Sequence, residues 1–305
     1  MTERDGFSRA SASCGTLLRH FRVVSSTMKQ SGRQQVARGR CLAAAVGLAL
    51  SWSAVAQEAD APRGPADRAA PRTDQNSMTA HAQLLEKARH GRIDVYFEGD
   101  SIVRRWGALD YPNLLEYWTA NFFGWNAANF GWGADRTENI LWRLANGELD
   151  GVNPRVIVVL AGTNNVGTRP GDEQTIAEIA NGVKAIVDIC RTKAPDAVII
   201  LMAIFPRNDN MAVMPTITRI NERLAGFADG ARVRFLSIND RLANAEGRLV
   251  DGVLNERDKL HPTVKGYQIW ADALKPILRE LLGPPAATDF APPPTGDPSA
   301  ARRQP

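Results

Sequence analysis

Cysteine is almost missing from the chain beyond its first 41 residues. Of three cysteines, Cys14 and Cys41 lie in the N-terminal stretch and only Cys190 follows. One thiol closes no disulfide within its own chain, and Cys190, spaced with Ile186 and Val187 as on a helix, reads as a small buried hydrophobe. Histidine is scarce as well: His20, His81, His90 and His261 are all there are. No apolar run approaches the ~20 residues that a membrane-spanning helix requires. A basic surface is lacking too, despite a formal charge of +4. Of the 37 Lys+Arg and 33 Asp+Glu, residues 1–56 hold eight and two, which leaves 29 basic and 31 acidic residues, a net of −2. That balance argues against a nucleic-acid partner or an anionic-membrane patch.

The N-terminal stretch has the layout of an export signal. Lys29, Arg33, Arg38 and Arg40 form a basic flank, an apolar run follows from Cys41, and Ala54-Val55-Ala56 supplies a small-residue cleavage site. Cleavage is expected near Ala56, with Met28 as the natural start and an exported (periplasmic or secreted) product. The rival reading, an uncleaved anchor, is disfavoured by the short apolar run, so no stable membrane insertion is expected after cleavage. Residues 57–76, rich in Pro, Ala and charge without periodicity, read as a disordered linker. The Pro-rich tail 284–305 reads the same way.

Between them, 77–283 alternates strand and helix patterns. Strands are expected at 93–98, 126–130, 156–160, 197–204 and 233–238, and helices at 77–92, 111–123, 135–149, 172–193, 215–228 and 263–282. In strand one Ile93, Val95 and Phe97 alternate with Asp94, Tyr96 and Glu98, whereas Val156–Leu160 is wholly apolar, as for a central strand buried on both faces. The alternation predicts an α/β fold: a three-layer α/β/α sandwich around a parallel sheet. In the flavodoxin-like order 2-1-3-4-5, the carboxyl ends of strands one, two and three share a crevice.

Chemistry-bearing residues collect at those ends. Gly99-Asp100-Ser101 follows strand one, the loop through Gly131, Trp132, Gly133, Ala134 and Asp135 follows strand two, and Gly162-Thr163-Asn164-Asn165 follows strand three. Asp258 and His261 precede the last helix. A serine hydroxyl needs a base to become a nucleophile. His261 is the one histidine within the sheet region and can accept that proton near neutral pH. Asp258, three residues earlier, can hold the imidazole tautomer. The N–H of Ser101, a backbone N–H of the 131–134 loop and the Asn164 amide are candidate oxyanion donors, and Trp132 and Asn165 candidate substrate contacts. Asp100 is expected to bond the turn rather than react. Trp106, Trp125 and Trp132 read as core and pocket wall ahead of a sugar platform.

Each piece alone has a plainer reading. Gly-Asp-Ser and Gly-Thr-Asn-Asn are common turns. The glycine loop could cradle phosphate but lacks the P-loop lysine. Asp258-x-x-His261 could be half a metal site, yet no second histidine or cysteine cluster completes it. Their order is what resembles a family, the SGNH or GDSL hydrolases. Ala128–Gly131, Ile140–Leu149 and Val156–Asn165 are similar to the catalytic subunits of the platelet-activating-factor acetylhydrolases. That resemblance implies a flavodoxin-like sandwich, a serine esterase mechanism with Ser101, His261 and Asp258, no metal and no cofactor. The oxyanion donors it implies are Ser101, Ala134 and Asn164. One departure stands out: the Gly-x-Gly-Gly-Asp pattern of those subunits is Gly131-Trp132-Gly133-Ala134-Asp135 here, which adds a methyl group where a positive φ is expected. The implied substrate is a small-molecule short-chain acyl ester, with O-acetylated carbohydrate favoured by a tryptophan-lined entrance. Lysophospholipid or thioester cleavage, or a non-catalytic ligand-binding role, are the alternatives. The sequence leaves a homo-oligomer open.

Overall fold

The computed structural model describes residues 65–300. The expected export signal lies outside these residues. The elements in order are α1 (Gln75–Ala88), β1 (Val95–Gly99), α2 (Ser101–Trp106), α3 (Pro112–Phe122), β2 (Ala127–Asn129), α4 (Thr137–Arg143), β3 (Val156–Leu160), α5 (Thr163–Val166), α6 (Glu173–Lys193), β4 (Val198–Met202), α7 (Met214–Ala225), β5 (Val233–Leu236), α8 (Asn239–Leu242) and α9 (Val264–Leu282). The five strands form one parallel sheet in the order β2-β1-β3-β4-β5, the order expected.

Successive strand residues face opposite ways, and this sorts the core into two layers. Tyr96, Ile157, Val159, Ile199 and Leu201 pack with Ile140, Ile179, Val183 and Ile217 on one face. Val95, Phe97, Val156, Val158, Ile200 and Met202 pack with Trp106, Trp118, Phe122, Trp270 and Leu274 on the other. Cys190 belongs to the first layer, and burial pushes its thiol well above the ordinary value. Side-chain caps set the helix starts: Asp74 accepts from Ser77 N–H, Asp172 from Thr175 N–H and Thr263 from Gly266 N–H.

The single helix expected over 135–149 is interrupted. After Arg143 the chain makes a π-turn, Leu144–Glu148, in which Gly147 takes φ +111°. The turn carries Glu148 into the interior, where it is fully buried.

Two segments expected to be disordered are packed over their described residues, 65–76 and 284–300. The carbonyl of Ala66 accepts from Thr137 Oγ1 at 2.7 Å, and Ala70 N–H donates to Glu138 O at 2.9 Å, so 65–74 is clipped to the start of α4. At the other end, 284–300 runs as a strap. The Asp289 carboxylate accepts from Gly124 N–H and Asn126 N–H, Phe290 O accepts from Arg92 N–H, and Thr295 O accepts from Leu109 N–H. Proline accounts for both reversals. It lowers composition-based hydrophobicity, but it also restricts the unfolded chain, so a few hydrogen bonds suffice to hold the segment.

Candidate active site

The turn after β1 is built from its own residues. Asp100 is fully buried and caps α2, its Oδ1 accepting from Ile102 N–H at 2.9 Å, which bears out the expected role in the turn. Its Oδ2 finds no partner among the described residues, and burial pushes its carboxyl up to about 7. Ser101 is therefore the first residue of α2, at the carboxyl end of β1, between β2 and β3. Tyr267 of α9 fixes α2 from below through a 2.7 Å bond from its hydroxyl to Ile102 O.

His261 reaches this point from a clamped loop. Asn255 N–H donates to His261 O at 2.8 Å, and Asp258 Oδ1 accepts from the N–H groups of Leu260 and His261 at 3.1 and 3.0 Å. Asp258 Oδ2 lies 2.9 Å from His261 Nδ1, and His261 Nε2 lies 2.8 Å from Ser101 Oγ. The three groups meet as a continuous chain. For Asp258 burial works upward, but the two backbone donors and the imidazole outweigh it and hold the carboxyl below its ordinary value. His261 is also lowered from 6.5: burial leads, the Arg105 charge adds to it, and Asp258 opposes both. A hydroxyl bonded to a neutral imidazole, itself oriented by a carboxylate, can give up its proton as it attacks a carbonyl.

The loop after β2 closes over the same edge. Trp132 N–H donates to Gly99 O at 3.0 Å, and Gly131 N–H donates to Asn129 Oδ1 at 3.0 Å. A Cβ on Gly131 would stand 2.6 Å from Arg104 N and 2.9 Å from Asp100 O, so the residue must be glycine for the loop to lie this close to α2. Ala134 is exposed and does take the positive φ, +62°. Neither the Ser101 N–H nor the Ala134 N–H donates to an acceptor within the described residues. Asn164 is half-buried, and its Nδ2 donates to Asp135 O at 2.8 Å, tying the β3 loop to the β2 loop. A left-handed conformation costs a non-glycine residue about 1–2 kcal/mol, offset in part by the extra freedom glycine has when unfolded. Ala134→Gly is accordingly expected to stabilise the fold by about 1 kcal/mol, read by urea denaturation; a loss of stability would count against strain at this position.

Two residues expected to touch substrate are engaged elsewhere. Asn165 is buried, its Oδ1 accepting from Thr137 N–H at 3.0 Å and its Nδ2 donating to Glu138 Oε2 at 2.8 Å. Trp132 is buried, with Nε1 donating to Ser77 Oγ at 3.0 Å and its ring under the Arg104 guanidinium. Trp106 stacks on Tyr267 at 4.8 Å and packs at a tilt against Trp270 at 4.9 Å inside the core, and Trp125 donates to Gly283 O. The tryptophan-lined entrance is therefore corrected: these indoles build the core.

Sequence reasoning missed the groups that hold the site. Glu98 entered the sequence reading only as an alternating position of strand one, yet it is fully buried. Arg143 joins it at 2.8 Å, Asp135 at 2.7 Å, and Glu148, while also donating to Phe130 O at 3.0 Å. Burial pushes Asp135 up to about 6, with Arg143 opposing. A polar residue on a central strand was the available signal, because a buried carboxylate has to find a cation. Arg105 and Arg207 were missed as well. Arg105 Nη1 stands 3.4 Å from Asp258 Oδ2, and buried Arg207 pairs with Asp209 and donates to Thr163 O.

Comparison with known proteins bears on the family and the fold. Residues 97–269 match the GDSL-like Lipase/Acylhydrolase family. Platelet-activating factor acetylhydrolase IB subunit alpha2 of Rattus norvegicus is 32% identical over 211 residues, 68% of this chain and 86% of that one. The alpha1 subunit of Homo sapiens is 30% identical over 207 residues, 67% of this chain and 84% of that one. A GDSL-like lipase from Bacteroides thetaiotaomicron shares the fold, with a TM-score of 0.50 at 17% identity over 67% of this chain and 96% of that one. The chain belongs to the GDSL-like lipase/acylhydrolase family and is a carboxylic ester hydrolase.

Proposed function

We propose that Ser101 is the nucleophile of this hydrolase, His261 its general base and Asp258 the group that orients His261. The observation that carries the reading is the unbroken hydrogen-bond chain from Ser101 Oγ through His261 to Asp258. Oγ attacks the ester carbonyl as His261 Nε2 takes its proton. The oxyanion is held by the N–H groups of Ser101 and Ala134 and by the Asn164 amide. Collapse expels the alcohol, which leaves with the proton from His261. Water, deprotonated by the same imidazole, then splits the acyl-serine and releases the carboxylate.

The preferred substrate is a short-chain, acetyl-type ester. The burial of the tryptophans removes the argument for a sugar platform. The names of the similar acetylhydrolase subunits favour an acetyl ester on a lipid-type alcohol, with lysophospholipid turnover as the second reading. The leader pattern supports an exported protein, and among the described residues no helix is long and apolar enough to cross a membrane. Rates on short p-nitrophenyl esters, an acetylated sugar and a lysophospholipid test the substrate, and activity confined to long-chain lipids would sink the acetyl version. A fluorophosphonate adduct on the Ser101 peptide tests the nucleophile. Glycan or lipid binding without any adduct would replace this reading with a binding role.

The pH dependence follows from His261. Only the neutral imidazole can accept the proton, and burial with Arg105 holds its pKa below 6.5. Activity should therefore persist to pH values below 6.5 before the acid limb sets in. Removing a neighbouring positive charge raises an imidazole pKa, so Arg105→Gln should move that limb to higher pH. An unchanged pH–rate profile in the variant would show that Arg105 has no hold on His261.

A further inference from the structure

A cavity of about 250 Å³ lies between α3, the edge strand β2 and the C-terminal strap. Leu115, Trp118, Phe122, Ala127 and Pro292 give it an apolar wall. Lys87 and Asn129 stand in the same wall, and Lys87 Nζ donates to Asn129 O at 2.7 Å. Lys87 is only 5% exposed, yet no carboxylate among the described residues forms an ion pair with it. Glu148, whose charge acts on it, is held by Arg143 and His81. Asp289, the other charged group in the wall, is taken by the N–H groups of Gly124, Asn126 and Ala291. Burial with so little compensation brings the Lys87 ammonium down to about 7.

A buried ammonium has three N–H donors, and here one carbonyl and the face of Phe130, 5.4 Å away, are its company. A buried amine with no carboxylate partner, beside an aromatic and aliphatic wall, suits a ligand whose single negative charge would hold the ammonium form and whose body is apolar. A water occupies about 30 Å³ in the liquid and a methylene is of similar size, so the space takes roughly eight such groups, the seven alkyl carbons and the carboxylate of an eight-carbon acid. A phosphate dianion would bring two charges to a single cation and no apolar body to the wall. We propose that the cavity beneath the strap binds an unbranched medium-chain monocarboxylate, with its carboxylate on Lys87 Nζ and its chain along Leu115, Trp118 and Phe122.

This site is separate from Ser101 and does not depend on the role given to that residue. Asn129 links the two: its side chain holds Gly131 N–H and donates to Val103 O of α2.

Titration calorimetry of the full chain carrying Ser101→Ala, with octanoate as probe, decides the matter. Saturable one-to-one binding is expected, with octylamine failing to bind. Lys87→Met should weaken octanoate at least tenfold, and Leu115→Trp, which fills the cavity and keeps the lysine, should do the same. No saturable binding overturns the proposal and leaves Lys87 as a cover for the β2 edge. Octanoate bound equally well by a folded Lys87→Met protein also overturns it. If Lys87→Met does not fold, Leu115→Trp decides, and retained affinity there is fatal.

Discussion

Replacing Arg143 with methionine is expected to cost the fold about 3–5 kcal/mol, the usual penalty for removing one partner of a buried ion pair. Domain stabilities are about 5–15 kcal/mol, so the variant should lose a large part of what holds it together. The reason is the number of charges left behind. Glu98, Asp135 and Glu148 are all fully buried, and Arg143 is the cation that touches each of them. Burial already raises Glu98 and Asp135 towards protonation, with Arg143 opposing it, so its removal lets these groups take up protons and limits the cost. Urea denaturation near neutral pH measures the effect. A loss below about 1 kcal/mol would mean that the carboxylates are neutral in the native protein and the pairs matter little. The damage should also reach activity in the folded fraction, since Arg143 binds Phe130 O and Asp135, which flank the 131–134 loop.

Ser101→Ala should leave the fold intact and lower kcat by roughly 10⁴–10⁶-fold, the range seen when a serine nucleophile is removed from a triad. His261→Ala should fall as far, because hydroxyl and imidazole act as one unit and their losses do not add. The two substitutions in one chain should be little worse than either alone. Steady-state rates with a p-nitrophenyl ester, together with circular dichroism to establish folding, give the comparison. Activity in folded Ser101→Ala within tenfold of the starting protein would assign the nucleophile elsewhere. Losses that multiply in the double variant would instead place serine and histidine in separate steps.

The sheet was legible because its strands carry a period that only one architecture satisfies. Val156–Leu160, apolar at every position, called for cover on both faces, and the order of strands and helices then left little choice of topology. Ser101, Asp258 and His261 were legible for a different reason: short motifs at strand ends are set by local turn geometry, which sequence encodes well. The supports were not legible. Asn165 and Trp132 sit among the reactive residues in sequence but turn away to bond Thr137, Glu138 and Ser77. Which way a side chain turns at a shared loop is decided by tertiary partners that no local pattern shows. The same holds for Glu98, whose alternation with Phe97 suits a solvent face until Arg143, 45 residues later, is brought beneath it. Composition misled at 284–300, where a proline-rich stretch is held by the Asp289 carboxylate and three backbone carbonyls.

The bond between Ser101 and His261 spans 160 residues of chain, and this bears on when the protein acquires its chemistry. Strands β1, β2 and β3 and the loops bearing Ala134 and Asn164 all lie within the first half of the described chain, and none of them needs residues beyond Val166. The imidazole arrives only with the loop before α9, and α9 itself clamps α2 through Tyr267. Closing so long a loop is entropically costly until the intervening strands have docked. On the roles proposed for Ser101 and His261, a chain still being synthesised holds a serine without its base, and hydrolytic competence comes with the last helix.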